Sequence, residues 1–323
     1  MAGGPSTVAL ARAVSDAGGL GFLAAGYRDA EALRADVLEM RGLSCGVNLF
    51  VPSPGEVADP AALDSYVRSL GPGAGPALWD DDDWRQKLDV LRDEEPVPVV
   101  SFTFGCPPLC EVRSLLAHGS EVWVTVCSVE EARAARDSGA SGLVLQGVEA
   151  GGHRATWVDG ARDDRLPVLD LLRLVSAEGL GVPLVAAGGV MDAAGVAAVL
   201  AAGASAACAG TAFMLAPEAG THPAHRAALD DQGARTDFTR AFTGRLARGI
   251  VNRFMEEHSG DVPIAYPHIN RATAPLRAAA RAAGDAGGFN LWAGQAFPLA
   301  VERPAAETVR ALSASLPVRA RRD

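Results

Sequence analysis

Pro183-Leu-Val-Ala-Ala-Gly-Gly-Val190, then Asp192 through Ala202, then Ser205-Ala-Ala-Cys-Ala-Gly-Thr-Ala-Phe213: this stretch reads as strand, helix, strand. Both apolar runs are continuous rather than alternating, as expected of parallel strands buried on two faces. Asp192 stands where a helix N-cap belongs, and Gly203 where a helix stops. From Val182 to Leu215 the only charged residue is Asp192. The stretch is nevertheless rich in Ala and Gly and is interrupted at Gly188-Gly189 and Gly203. It therefore reads as a buried βαβ unit, not a membrane span.

The same unit recurs upstream. Apolar runs lie at Leu20–Gly26, Cys45–Val51, Val97–Gly105, Val122–Cys127 and Gly142–Gly147. Amphipathic helical stretches separate them. Val129–Asp137 carries its acids early and Arg133 and Arg136 late, which suits the helix dipole. Repeated β-then-α with short loops predicts an α/β fold with a parallel sheet, either doubly wound or closed as a TIM (β/α)8-type barrel. A closed barrel wants eight strands and seven runs are visible, all after a helical segment at Thr7–Ala17. A first strand is therefore expected to be missing or incomplete, placed before Met1. Beyond Leu215 the pattern turns helical, at His222–Gln232, Phe238–Phe242, Leu246–His258 and Thr273–Ala283. The expected division is a barrel domain of residues 1–215 plus about 285–323, with a smaller, mainly helical substrate or lid domain at about 216–284. Ala306–Ser315 would return to the barrel as a last helix.

The 323 residues carry a net charge of −10, which argues against phosphate-backbone binding and so against nucleic-acid partners. Cys45, Cys106, Cys110, Cys127 and Cys208 are odd in number and sit mostly in strand runs, which predicts a reduced, cytoplasmic protein. Cys106 and Cys110 flank a Pro-Pro loop, but no second Cys or His pair lies at ligand spacing, so no metal is expected. The N-terminus has neither a basic nor an apolar signal region.

Three places can carry chemistry. Gln146-Gly-Val-Glu-Ala-Gly-Gly-His-Arg154 follows a buried strand directly, at the end where active sites of parallel α/β folds assemble. Gln146 offers an amide suited to a flavin ring edge, Gly151 and Gly152 let backbone approach a ligand, and His153, on a loop, can take a proton near neutral pH. A surface-loop histidine is the plainer alternative. Next, Ala187-Gly188-Gly189-Val190 and Cys208-Ala209-Gly210-Thr211 end the last two runs, where barrels often bind phosphate on backbone N–H groups. Neither matches a Rossmann Gly-x-Gly-x-x-Gly or a P-loop. Last, Asn48 in Gly46-Val-Asn-Leu-Phe50 is a polar residue inside an apolar run, either touching a ligand or capping a neighbouring loop.

These segments, with Met1-Ala-Gly-Gly-Pro-Ser-Thr, Gly18-Gly-Leu-Gly-Phe-Leu23, Gly210-Thr-Ala-Phe213, Thr243–Asn252 and Leu291-Trp-Ala-Gly-Gln295, resemble in order the nitronate monooxygenases. The resemblance spans nearly the whole chain, and Glu-Ala-Gly-Gly-His is its most specific part. It implies an FMN-binding barrel with a smaller helical domain, although the chain departs from the family in the strand that members carry before the Met1-Ala-Gly-Gly segment. It further implies that Met1, Asn48, Gln146, Gly151, Gly188, Gly189, Cys208, Ala209, Gly210 and Thr211 contact FMN, and that His153 is the catalytic base. The implied reaction takes a nitronate or nitroalkane and O2 to a carbonyl compound and nitrite, in a monomer or homodimer. A related FMN reductase using NAD(P)H, a non-catalytic flavin binder and a flavin-free sugar-phosphate barrel remain alternatives.

Overall fold

The computed structural model describes residues 1–160 and 163–316. Its strands are β1 (Gly21–Ala24), β2 (Cys45–Phe50), β3 (Val99–Thr103), β4 (Glu121–Val126), β5 (Gly142–Gln146), β6 (Gly152–His153), β7 (Leu184–Ala187), β8 (Ala206–Cys208), β9 (Thr236–Thr239) and β10 (Ala247–Ile250). Seven form one parallel sheet in the order β1-β2-β3-β4-β5-β7-β8. They are the seven apolar runs of the sequence, curled into a TIM-barrel-like wall with helices outside.

Burial on both faces explains the continuous apolar runs. Val47, Val100, Phe102, Val122, Val124, Leu143 and Leu145 are all fully buried. The outer face of the first strands packs on Leu33 and Val37 of helix Ala30–Glu39, Leu88 and Leu91 of helix Trp84–Asp93, and Val112 and Leu115 of helix Leu109–His118. Each such side chain contributes roughly 1.5–3 kcal/mol. Asp192 is the predicted N-cap: its Oδ1 accepts the Gly195 N–H at 2.8 Å.

The sheet's two outer strands are β1 and β8. Beside them, Leu10 of helix Val8–Asp16 packs with Phe213, Ala305 and Val309, so the last helix, Ala305–Leu312, does return to the barrel. Gly21 has to be glycine, because a Cβ there would overlap the Ala11 backbone.

After Leu215 the structure differs from the helical reading at two places. Thr236–Thr239 and Ala247–Ile250, read as parts of helices at Phe238–Phe242 and Leu246–His258, are strands, and helix is confined to Arg253–His258. They form an antiparallel sheet β6-β10-β9. Pairing decides the outcome: β10 has partners on both sides, and Gly249 also bridges to Trp292, an approach that a Cβ would obstruct at the Leu291 carbonyl. Helix Pro60–Ser69, inserted between β2 and β3, joins this region through Leu63, Tyr66 and Leu70, packed with Phe242, Phe254 and Ile269. Among the described residues no helix is long and apolar enough to cross a membrane. Residues 317–323, assigned from sequence to the barrel domain, lie outside the described residues.

Candidate active site

In a parallel sheet all C-terminal strand ends share one rim, so Asn48, Gln146, Gly188-Gly189 and Cys208–Thr211 gather there. Asn48 is satisfied on one side only. Its Oδ1 accepts the Ser101 hydroxyl at 2.8 Å and the Thr103 hydroxyl at 3.0 Å. No protein acceptor among the described residues takes its Nδ2 hydrogens. Gly188 (φ 124°) and Gly189 (φ 70°) hold a left-handed backbone turn that other residues rarely adopt. Among the described residues no acceptor takes the backbone N–H of Gly189, Gly210 or Thr211. Met1 reaches this turn: a Cβ on Gly210 would stand 3.5 Å from its Sδ.

Gln146 also has a role within the protein. Its Nε2 donates to the His153 carbonyl at 3.0 Å, and its Oε1 accepts the Ala155 N–H at 2.9 Å. The amide thus pins the loop that carries His153. Buried Arg154 strengthens the same loop through Asp163, at 2.7 and 3.0 Å, and through the Gln146 carbonyl at 2.6 Å. Gly151 is forced by packing, since a Cβ there would overlap the backbone of Ala293 and Gly294. The 291–295 segment is held by Gln295 N–H on the Glu149 carbonyl at 2.8 Å and Gly294 N–H on the Thr211 hydroxyl oxygen at 3.0 Å.

His153 is not on a free loop. As the second residue of β6 it pairs with Ala247 of β10, which turns it from the barrel rim toward the smaller sheet. Its ring sits among Phe104, Tyr266 and Trp292, with centroids 5.6, 5.7 and 5.6 Å away. Its Nε2 lies 2.9 Å from the Thr243 hydroxyl. Desolvation, then the charges of Arg245 and Arg277, push its pKa down to about 3, so the imidazole is neutral at pH 7.

Sequence reading missed those two arginines as site residues. Buried Arg245 stacks 4.0 Å over the Phe104 ring and donates to the carbonyls of Arg154 and Thr156. Arg277 donates to the Thr273 hydroxyl, to the Asn270 carbonyl and to the Asn270 side-chain oxygen, at 3.0, 2.7 and 2.8 Å. Neither forms an ion pair with a carboxylate among the described residues. Their environment lowers the pKa of both, Arg277 to about 10, which leaves them cationic at neutral pH. Nearby, the Tyr266 hydroxyl meets the Tyr27 hydroxyl at 3.3 Å. Among the described residues no cluster of three or more His, Cys, Asp or Glu gathers as a metal site, and all five cysteines are free.

The profile of the nitronate monooxygenase family matches residues 1–315. The chain belongs to the nitronate monooxygenase family. It is therefore an enzyme, and relatives agree over most of its length. The nitronate monooxygenase of Pseudomonas aeruginosa is 42% identical, over 96% of this chain and 92% of that protein. The one from Paraburkholderia phytofirmans is 39% identical, over 97% and 90%. Among solved structures, a nitroalkane oxidase from Streptomyces ansochromogenes superposes with a TM-score of 0.93 at 45% identity, covering 98% of this chain and 93% of that one. FabK from Thermotoga maritima follows the same fold with a TM-score of 0.75 at 27% identity, over 98% and 90%. In this nitronate monooxygenase family member, then, the rim carries the glycine turns and the Asn48 amide, while the charges of Arg245 and Arg277 act on a neutral His153.

Proposed function

We propose that this enzyme oxidises alkyl nitronates, and more slowly nitroalkanes, to a carbonyl compound and nitrite with FMN and O2. The observation that carries the reading is the pair Arg245 and Arg277, cationic, without an ion-paired carboxylate among the described residues, whose charges act on a neutral His153. The charges that disfavour an imidazolium favour an anion in the same space. A nitronate is such an anion, and its carbon is already electron-rich, so no proton has to leave before oxidation. For a neutral nitroalkane, His153 is the catalytic base that takes the α-proton, and the guanidiniums stabilise the nitronate formed.

The residues at the rim fit FMN. The free Nδ2 of Asn48 and the loop braced by Gln146 suit the ring edge. Gly188 and Gly189 let backbone come close, Gly151 lets the His153 loop seat on Ala293 and Gly294 beside them, and the N–H groups of Cys208-Ala209-Gly210-Thr211, with Met1 next to them, suit the phosphate end. Bound there, FMN would supply the redox chemistry and pass the electrons to O2. The segment of about 216–284 acts in this reading as the substrate domain that closes over residues 1–215 and about 285–323. The enzyme would be cytoplasmic, and a monomer or homodimer.

The test is an absorbance scan of the purified protein for bound flavin, then anaerobic mixing with propionate 3-nitronate or with NADH. Rapid bleaching by the nitronate is expected. Bleaching by NADH with none by the nitronate would replace this reading with an NAD(P)H-dependent reductase.

A further inference from the structure

His153 has two neutral tautomers, and one neighbour decides between them. Thr243 is buried at 2% exposure, and its single hydroxyl oxygen sits 2.9 Å from His153 Nε2 and 3.2 Å from the Arg245 carbonyl oxygen. A hydroxyl has one proton to give. The Arg245 carbonyl can only accept, belongs to a residue 3% exposed, and has no other donor among the described residues. Turning the Thr243 proton toward the imidazole would orphan that carbonyl. Keeping the proton on the carbonyl satisfies every group, and it leaves Nε2–H as the donor to the Thr243 oxygen, which also takes the Arg245 N–H at 3.3 Å. His153 Nδ1 has no protein partner among the described residues and is not among the sealed, unpartnered atoms.

We propose that Thr243 is a positioning residue that holds His153 as the Nε2–H tautomer and makes Nδ1 the proton-accepting atom. This rests on the reading of His153 as the base for nitroalkanes. In the step, the substrate Cα–H bond breaks, its electron pair stays on the substrate as the nitronate, and the proton forms a bond to Nδ1. Nε2–H remains on Thr243 throughout, so the imidazolium is born with its second N–H already accepted.

Two measurements on the holoenzyme test it. Nitrogen-15 NMR of histidine-labelled protein reads which ring nitrogen of His153 bears the proton, with His153→Asn assigning the signal. Nε2–H alone is expected in the wild type and in Thr243→Ser, and a second tautomer in Thr243→Val. Turnover of nitroethane relative to preformed ethyl nitronate should fall by about 10- to 100-fold in Thr243→Val, the range for loss of a group that orients a histidine, and recover in Thr243→Ser. A wild-type His153 carrying its proton on Nδ1, or equal losses on both substrates in Thr243→Val, overturns the proposal. If Thr243→Val does not fold, the wild-type tautomer and the serine variant still decide. The base reading fails separately, if His153→Asn keeps nitroethane turnover.

Discussion

The two sides of the site are built from different materials. The barrel rim presents backbone: the N–H groups of Gly189, Gly210 and Thr211, and one free amide on Asn48. The segments leading into β10 and into helix His268–Ala282, and that helix itself, present charge and rings: Arg245, Tyr266, Arg277 and, from the neighbouring 291–295 segment, Trp292. Backbone dipoles are fixed by the fold and suit a ligand that is the same in every turnover. Guanidiniums and aromatic rings are side chains, which can be exchanged without disturbing a strand, and they suit the group that defines the substrate. His153 joins the halves, leaving β5 through a loop pinned by Gln146 and pairing with β10.

The contrast breaks most clearly at His153. His153→Asn should keep bound flavin, because the rim is untouched, yet lose nitroalkane turnover by at least about 10²-fold, the usual range for a general base. Flavin content by absorbance and nitrite release from nitroethane check both halves at once. Unchanged nitroethane oxidation would remove His153 from the mechanism. Arg277→Met sharpens the other side. Loss of one charge-assisted contact, about 1.5–3 kcal/mol, should lower kcat/KM for a nitronate by roughly 10- to 100-fold. It should also let the His153 pKa rise, since Arg277 is one of the charges that hold it down. With the base at about 3 in the wild type, nitroalkane kcat/KM should stay flat from pH 8 to about 5. In Arg277→Met the acid limb should move upward.

Gly151→Ala tests the seam between the halves. A Cβ there meets the backbone of Ala293 and Gly294, which cannot yield as a side-chain tip can. Overpacking of this kind costs about 1–3 kcal/mol. The expected result is a lower Tm with weakened flavin retention, measured by thermal unfolding and gel filtration.

The halves also differ in how far they could be read from sequence. The seven barrel strands were legible because burial on both faces writes itself as an uninterrupted apolar run. The glycine turns were legible because left-handed backbone and close approach select one residue type. Strands β9 and β10 were not, since Thr236-Asp-Phe-Thr239 and Ala247-Arg-Gly-Ile250 are short and mixed, and only pairing with β6 and the Gly249–Trp292 bridge makes them strands. Arg277 was legible only as part of the helical stretch Thr273–Ala283. The spacing Asn270, Thr273, Arg277 on one helical face was the available signal, and it takes the structure to show those groups tying the guanidinium in place. Gln146 stood out for its place at a strand end; pinning the His153 loop takes its Oε1 and one Nε2 hydrogen, and the second Nε2 hydrogen meets no acceptor among the described residues.

The smallest expected effect is on acid stability, and it separates the halves again. His153 and His225 have pKa values pushed down to about 3 and about 4, chiefly by burial, and both serve the smaller region, His225 through its contact with Trp292. Below the ordinary histidine value of about 6.5 the unfolded chain takes up protons that these sites refuse. Their contribution is therefore present above that value and falls away as pH drops toward 4. Asp36 and Glu131, which pack with the barrel, have the opposite sign. Burial raises their pKa, so the folded barrel takes up protons before the unfolded chain does, and it gains relative stability as pH falls through their range. Hydrogen exchange at pH 7 and at pH 5 should thus show protection lost first in β9 and β10, with β2 to β5 still closed. Uniform loss across both sheets would mean that the two halves open as one unit, and that acid does not act through these histidines.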